Sequence, residues 1–459
     1  MQRIKAHLSV WLLAGMLAAV CPVPELGSIA RAEQPAASQR TEAQASSVDL
    51  PALFDAVVGT IDRRFVDSEL LKSLDWQARA RAARPAIVSA SSENEAVSLI
   101  NALLAELHTS HTGLYTPDEF RYYLTLDALR GAGGTAGLIE DRFWGTGPYF
   151  PGIGAFTTAI DGRHFVDGVL EGSPADKAGL KFGDEILAVD GQTYSPIAAF
   201  RGKIGSSVEI EIRRTRGAAP VRIGVPVVPI VPSVAFSAAT KASARIIEKD
   251  GRRIGYIHVW AVNETRTFRA ALADLDPSTV DPPRDHGPPL DALIVDMRGR
   301  VGGSIDAAAQ LLDMIGTAQR PYWGSLRFID RSGKDSAAGG DHGARATGVR
   351  SFRGRSAILI DHQTRSAGEI VAYGYQRSGF GRTIGTQTAG AVSSGSPYAM
   401  PGGLMLYVAT SSLTFDGQRL EGAGVAPDIR VERPVPYAAG ADPVLEAAVA
   451  QLATGFEAQ

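Results

Sequence analysis

Apolar residues return every three to four positions over two stretches near the front of the chain. Leu50, Leu53, Val57, Ile61 and Phe65 mark one helix, and Val97, Ile100, Leu103, Leu104 and Leu107 mark another over 93–107. The second helix runs into His108-Thr-Ser-His-Thr-Gly113, where Gly113 ends it and Tyr115-Thr-Pro117 reads as a loop. From about Gly131 the pattern changes to short strands and turns. Val166 to Leu170 reads as a strand, Ser173 to Gly179 as a short capped helix, and Val208 to Arg213 alternates apolar and charged residues like a half-exposed strand. From about Ala244, strands and helices alternate. Strands are expected at 253–259, 292–295, 357–360, 383–390, 404–410 and 429–431, and helices at 265–275, 305–315 and 367–375. Asp442-Pro443 starts a last helix with Leu445, Val449 and Leu452 on one face. The stretches 276–289 and 332–347 read as loops. The order describes a multidomain α+β chain.

Length and composition narrow this picture. The 459 residues suffice for two or three domains, and 45% apolar with 21% charged residues is the balance of a packed globular protein. A net charge of −3 without a basic tract argues against a nucleic-acid partner. Arg3 and Lys5 precede an apolar run over 8–20, and Ala30-Arg31-Ala32 offers small residues at the spacing of a signal-peptidase site. Residues 1–32 therefore read as a secretory signal cut after Ala32. The run is too short for a stable membrane span, and 33–47 reads as a flexible leader. Cys21, the sole cysteine, lies inside the signal. Its lipidation is the alternative, opposed by the bulky Val20 before it. A cut after Ala32 leaves no thiol nucleophile and no disulfide, and the expected address is periplasmic or secreted.

Candidate chemistry centres on Ser366, where an apolar strand stops and a helix starts. A hydroxyl there stands beside unpaired backbone N–H groups and the positive end of the helix dipole, a favourable place to build negative charge on a substrate oxygen. The same position suits a plain helix cap. Asp296-Met-Arg-Gly-Arg-Val-Gly-Gly is a strand ending in a glycine turn that can aim N–H groups at an anion. No Gly-Lys-Ser/Thr follows it, which disfavours a nucleotide. Asp296 and Arg298 are expected to pair and hold that turn, and Glu369 is expected to be structural.

Two resemblances order these pieces. Phe150-Pro-Gly-Ile-Gly-Ala155 and Glu171-Gly-Ser-Pro-Ala-Asp-Lys-Ala-Gly-Leu-Lys-Phe-Gly-Asp-Glu-Ile-Leu187 resemble a PDZ domain of the permuted, protease-associated kind. Such a fold offers a sheet edge to a peptide, with N–H groups of Gly152, Ile153, Gly154 and Ala155 able to hold a terminal carboxylate. A PDZ fold that only packs on its neighbour is the other reading. Ile254-Gly-Tyr-Ile, the Asp296 turn, Arg365-Ser-Ala-Gly-Glu, Ile384-Gly-Thr-Gln-Thr-Ala-Gly and Glu421-Gly-Ala-Gly-Val-Ala-Pro-Asp428 together resemble the C-terminal-processing and tricorn-core serine peptidases. The resemblance implies a helical N-terminal domain (48–130), a PDZ domain (131–232), an α/β peptidase core of crotonase-like, ββα-spiral type (244–435) and a C-terminal helix (436–459).

Within that family one mechanism uses a Ser–Lys dyad. The matching position here is Ala391, which cannot take a proton. The tricorn-like type uses a histidine base in a Thr-Ser-His stretch, which Thr109-Ser110-His111 matches. The resemblance implies Ser366 as nucleophile, His111 as general base, Ser110 as the group holding the imidazole and Glu421 as a polar support. Gly302 and Ala367 N–H groups are candidates for the oxyanion hole. His362, four residues before Ser366, is a rival base. His108 and His111 as metal ligands lack a third partner at a recognised spacing, so no metal or other cofactor is expected. The reading is a secreted serine endopeptidase acting on peptides or proteins. A silent PDZ-based binding protein and a hydrolase of non-peptide esters or amides are the alternatives. Oligomeric state, substrate identity and the preference of the S1 pocket are not legible.

Overall fold

The computed structural model describes residues 48–130, 134–143, 147–263, 265–279, 287–299, 302–316, 323–337 and 352–454. The expected signal, leader and Cys21, and most of the loop 332–347, lie outside the described residues.

Four helices open the described chain: α1 (Leu50–Arg64), α2 (Ser68–Ser73), α3 (Trp76–Val88) and α4 (Glu93–Ala105). Asp49 caps α1 by accepting from Ala52 N–H, and Arg331 closes its other end on the carbonyls of Asp62 and Phe65, 2.5 Å from each. Of the stretch 115–117 read as a loop, Thr116 and Pro117 lie in one, but Tyr115 belongs to a strand, β1 (Gly113–Tyr115). Its residues lie opposite Tyr407, Leu406 and Met405, so a strand from another part of the chain decides its conformation. Two more helices follow, α5 (Phe120–Ala128) and α6 (Ala136–Phe143).

The PDZ region holds β2 (Phe150–Gly152), β3 (Ala155–Ile160), β4 (Arg163–Val169), α7 (Pro174–Lys177), β5 (Glu185–Val189), β6 (Gln192–Thr193), β7 (Ser207–Arg213), β8 (Val221–Pro226) and β9 (Val228–Ile230). Its sheet runs β3-β4-β5-β7-β8 with β6 on β5, and β2 pairs β9. Ile153, Val166, Leu180, Ile186, Val208 and Ile210 fill its interior.

A helix that the periodicity did not announce, α8 (Pro232–Ser243), leads to the core. The core comprises β10 (Arg245–Lys249), β11 (Arg252–His258), α9 (Arg266–Leu275), β12 (Ala292–Asp296), α10 (Ile305–Ile315), β13 (Leu326–Asp330), β14 (Asp335–Ala337), β15 (Arg355–Ile360), α11 (Ala367–Ser378), β16 (Gly381–Gly385), β17 (Ser394–Ala399), β18 (Met405–Phe415), β19 (Ile429–Arg430) and α12 (Pro443–Thr454). One sheet runs β10-β11-β12-β15-β16-β19, parallel from β11 onward. Its side chains alternate between two apolar layers, as strand geometry requires. Ile257, Leu293, Val295, Ile358 and Ile360 pack with residues of α9, α10 and α11, whereas Ile254, Ile294, Ala357, Leu359 and Ile384 pack with Val444, Ala448 and Leu452 of α12. The helices cover both faces, which is how a parallel sheet is buried.

The second sheet runs β1-β18-β13-β14, with β17 also on β18. Its long strand β18 extends five residues past the expected end and gives Leu406, Val408 and Ala409 to the cluster formed by α1, α3 and α4. The expected strand 383–390 stops at Gly385, because Thr388, Gly390 and Ala391 turn inward to a buried carboxylate described below. Strand β17 (Ser394–Ala399) has no apolar alternation, so nothing local announced it.

Candidate active site

Strand β15 is central in the parallel sheet and buried along most of its length. The chain must leave it, turn, and enter α11 within a few residues. Ser366 takes that turn with φ 51° and ψ −122°, a strained conformation for a residue with a Cβ. A capping serine ordinarily lies in the extended region. The sharp strand-to-helix elbow instead resembles the way a nucleophilic serine is presented. Ser366 N–H donates to the Ala391 carbonyl at 2.8 Å. Its own carbonyl accepts from Glu369 and Ile370 N–H at 2.9 and 3.1 Å, which starts the helix.

Glu369 is fully buried and accepts from Thr388 Oγ1 at 2.6 Å and from Gly390 and Ala391 N–H at 2.7 Å each. Burial pushes its pKa up, and these donors only partly offset that. It ties the turn 388–391 to the first turn of α11. The position where a dyad lysine would stand is therefore a buried alanine whose carbonyl holds Ser366 in place.

The glycine turn arrives beside the elbow. A Cβ built on Gly302 would lie 3.8 Å from Ser366 Cβ. Val262 fixes the turn: its N–H donates to the Gly302 carbonyl at 2.6 Å and its carbonyl accepts from Ser304 N–H at 2.9 Å. Gly303, at φ 154°, has no room for a side chain, since a Cβ would fall 1.9 Å from the Val262 carbonyl oxygen. Ala367 is the first residue of α11, where a helix N–H has no partner within the helix. Asp296 and Arg298 pair as expected, with Nε and Nη2 2.9 and 2.6 Å from the carboxylate. Burial pushes the Asp296 pKa up, but Arg298 and His258 outweigh it and hold the carboxyl far below its ordinary range.

Pairing of β1 with β18 brings His111 against Tyr407 and its neighbour Ser110 against Glu421. The imidazole is half-buried and its ring lies 5.4 Å from that of Tyr407, with Nδ1 2.7 Å from Ser110 Oγ. Glu421 accepts from Ser110 N–H at 2.8 Å with one oxygen, and from Val392 and Ser393 N–H at 2.9 Å each with the other. Burial works to raise the Glu421 pKa, yet these donors outweigh it and keep the carboxyl below its ordinary value. Both halves of the candidate pair thus hang on one short stretch: Ala391 holds Ser366, and Val392 and Ser393 hold Glu421, which holds Ser110. Desolvation of the charged ring pushes the His111 pKa down to about 4; Glu421 opposes this, and Arg365 and Arg121 add to it. The imidazole is neutral at pH 7, the state a proton acceptor needs.

Other candidates fall elsewhere. His362 is exposed. His108 is exposed as well, and among the described residues no group of three or more His, Cys, Asp or Glu could hold a metal. In the PDZ region Gly152 lies opposite Val228 and Ala155 opposite Val169, and the Ile153 and Gly154 carbonyls accept from Ala175 and Leu170 N–H at 2.9 Å each. Strand β3, which follows, is an edge of its sheet. Tyr407 and the backbone of 391–393 escaped the sequence reading. An aromatic in a strand and three N–H or C=O groups leave no residue-type signal. No described helix is long and apolar enough to cross a membrane.

Residues 253–431 match the model of peptidase family S41, and residues 165–214 match a PDZ domain model. The carboxy-terminal processing protease CtpB of Bacillus subtilis is 26% identical over 305 residues, 63% of this chain and 57% of that protein. Tricorn protease homolog 1 of Streptomyces coelicolor is 25% identical over 460 residues, 94% of this chain and 37% of that protein. Among solved structures, the photosystem II D1 C-terminal processing protease aligns with a TM-score of 0.48 at 20% identity, over 83% of this chain and 92% of that one. The chain spans little more than half the length of the curated processing proteases it matches.

Proposed function

We propose, from the match of residues 253–431 to peptidase family S41 and the likeness to carboxy-terminal processing proteases, that the chain is a secreted serine endopeptidase of that family with a histidine base. Ser366 attacks the scissile carbonyl. With Nδ1 protonated and donating to Ser110 Oγ, His111 keeps its lone pair on Nε2, takes the serine proton there and returns it to the leaving amine. Gly302 and Ala367 N–H groups receive the negative charge that develops on the carbonyl oxygen. Water releases the acyl-enzyme by the same steps in reverse order. Glu421 acts through the N–H groups it holds, and the segment Gly152 to Ala155 with the edge of β3 takes the substrate's C-terminal end. Periplasmic or secreted placement follows from the signal read at 1–32. The observation that carries this reading is the strained elbow at Ser366, joined through residues 391–393 and Glu421 to the Ser110–His111 pair.

A fluorophosphonate probe tests it. Wild type labels at Ser366, and Ser366→Ala and His111→Ala do not. A folded wild type that fails to label sinks the reading in favour of a peptide-binding protein. Digestion of a peptide library against turnover of small esters separates a peptidase from a general esterase.

A further inference from the structure

Two carboxylates leave the PDZ fold and reach the two backbone turns that build the candidate site. Asp167, on β4, accepts from Gln363 Nε2 at 3.0 Å, and Gln363 stands three residues before Ser366. Glu171, between β4 and α7, lies 2.8 Å from His258 Nδ1 and accepts from Trp260 Nε1 at 2.6 Å. The other imidazole nitrogen of His258 is 3.0 Å from the Arg298 carbonyl, four residues before Gly302. A carbonyl oxygen only accepts, so Nε2 carries a proton. Nδ1 faces a carboxylate and carries the other. Burial works against that charge, but Glu171 and Asp296 outweigh it and hold the imidazole up at about 9.

The two turns are also tied to each other. Asp361 accepts from Gly299 N–H at 3.3 Å and from Gln363 and Thr364 N–H at 2.9 and 3.0 Å. Thr364 Oγ1 donates to the Met297 carbonyl at 2.7 Å. The elbow loop and the glycine turn thus form one hydrogen-bonded piece, and the PDZ fold grips it at both ends through residues four apart. A buried ion pair adds little net stability, because desolvation offsets its attraction. Its chief consequence here is geometric.

We propose that Glu171 and Asp167 are positioning residues of the active site: through His258 and Gln363 they set where the Gly302 turn stands relative to Ser366. The PDZ fold then serves catalysis even when no peptide occupies it. This inference rests on the serine-peptidase reading.

Full-length Glu171→Gln, Asp167→Asn and the double variant Glu171→Gln/His258→Gln test it. Each is first checked by circular dichroism and gel filtration. In folded Glu171→Gln the probe-labelling rate and kcat fall about tenfold or more, the scale on which small misplacements of reacting groups act. KM stays within about twofold, because the lost interaction serves the transition state and not substrate binding. Amide hydrogen exchange rises in peptides covering 297–299 and 361–367, and the double variant is no worse than Glu171→Gln alone. Folded variants with wild-type kcat, labelling and exchange overturn the proposal, as does a loss confined to KM. If wild type itself fails to label, the peptidase reading falls, and the exchange measurement still decides whether these carboxylates set the turns.

Discussion

Two histidines, His111 half-buried and His258 buried, have pKa values that move in opposite directions. His111 goes down to about 4, because desolvation disfavours its charge and the nearby arginines Arg365 and Arg121 add to that against one carboxylate, Glu421. His258 goes up to about 9, because burial is outweighed by Glu171 and Asp296. The difference lies in what the second ring nitrogen faces. His258 has an acceptor on each side, Glu171 and the Arg298 carbonyl, so it is locked as a doubly donating cation. His111 has a hydroxyl on Nδ1, which can accept from a neutral ring and leaves Nε2 free for chemistry. Burial alone does not make a histidine structural or catalytic; the chemistry of its neighbours does.

The strongest way to break this contrast is to delete the groups said to do chemistry. Ser366→Ala and His111→Ala are each expected to lower kcat by about 10⁴ to 10⁶, with the double variant no worse than either single one, because nucleophile and base act as a unit. Single-turnover hydrolysis of a fluorogenic peptide measures this. Additive losses would show that His111 and Ser366 work separately.

A second measurement sharpens the assignment of states. If His111 is the base, activity falls as pH drops through its own pKa. At pH 5 a group of pKa 4 is about 90% neutral and one of pKa 6.5 about 3% neutral. The acid limb of kcat/KM is therefore expected near pH 4, with most activity kept at pH 5. A limb near 6.5 in a folded enzyme would contradict the environment described for this ring. Glu421→Gln removes the carboxylate that raises the His111 pKa, so it should move the limb lower, and it should cost about tenfold in kcat as Ser110, Val392 and Ser393 N–H groups lose a charged acceptor. A limb that moved upward would mean that Glu421 is not the charge His111 senses.

The same contrast explains what the sequence could and could not disclose. Helices and central strands were legible because their apolar positions repeat at 3.6 or sit in buried runs. Helix α10 begins and ends at the expected residues, 305 and 315. Strands β1 and β17 were not legible, because both are made by pairing with β18, hundreds of residues from β1. The Thr109-Ser110-His111 stretch and Ser366 stood out as residue types in suggestive contexts, and the structure ties both to 391–393. What holds them did not stand out. Glu369 was read only as structural, and its four acceptor contacts to a hydroxyl and backbone N–H groups carry no sequence pattern. His258 was not singled out at all. Its partners, Glu171 and the Arg298 carbonyl, come from a different fold region and from the main chain.

The smallest expected effect concerns His258 and reads on stability, independently of activity. Its folded pKa is raised above the unfolded value of about 6.5, so the folded state holds the proton more tightly. The stabilisation is fully present below pH 6.5 and is lost as pH rises through about 9. The midpoint of thermal unfolding should fall by a few degrees between pH 6.5 and 9.5, in a window where ordinary carboxylates do not titrate. Glu171→Gln removes the leading charge that raises this pKa. The variant should be less stable at pH 6.5 and should lose most of the decline toward pH 9.5. His111 cannot produce the same signal: its folded pKa is depressed, so the neutral ring is favoured by folding and its stability contribution is lost on the acid side of 6.5. A decline that persists unchanged in Glu171→Gln would assign it to another group, and would remove the distinction between the locked histidine and the reactive one.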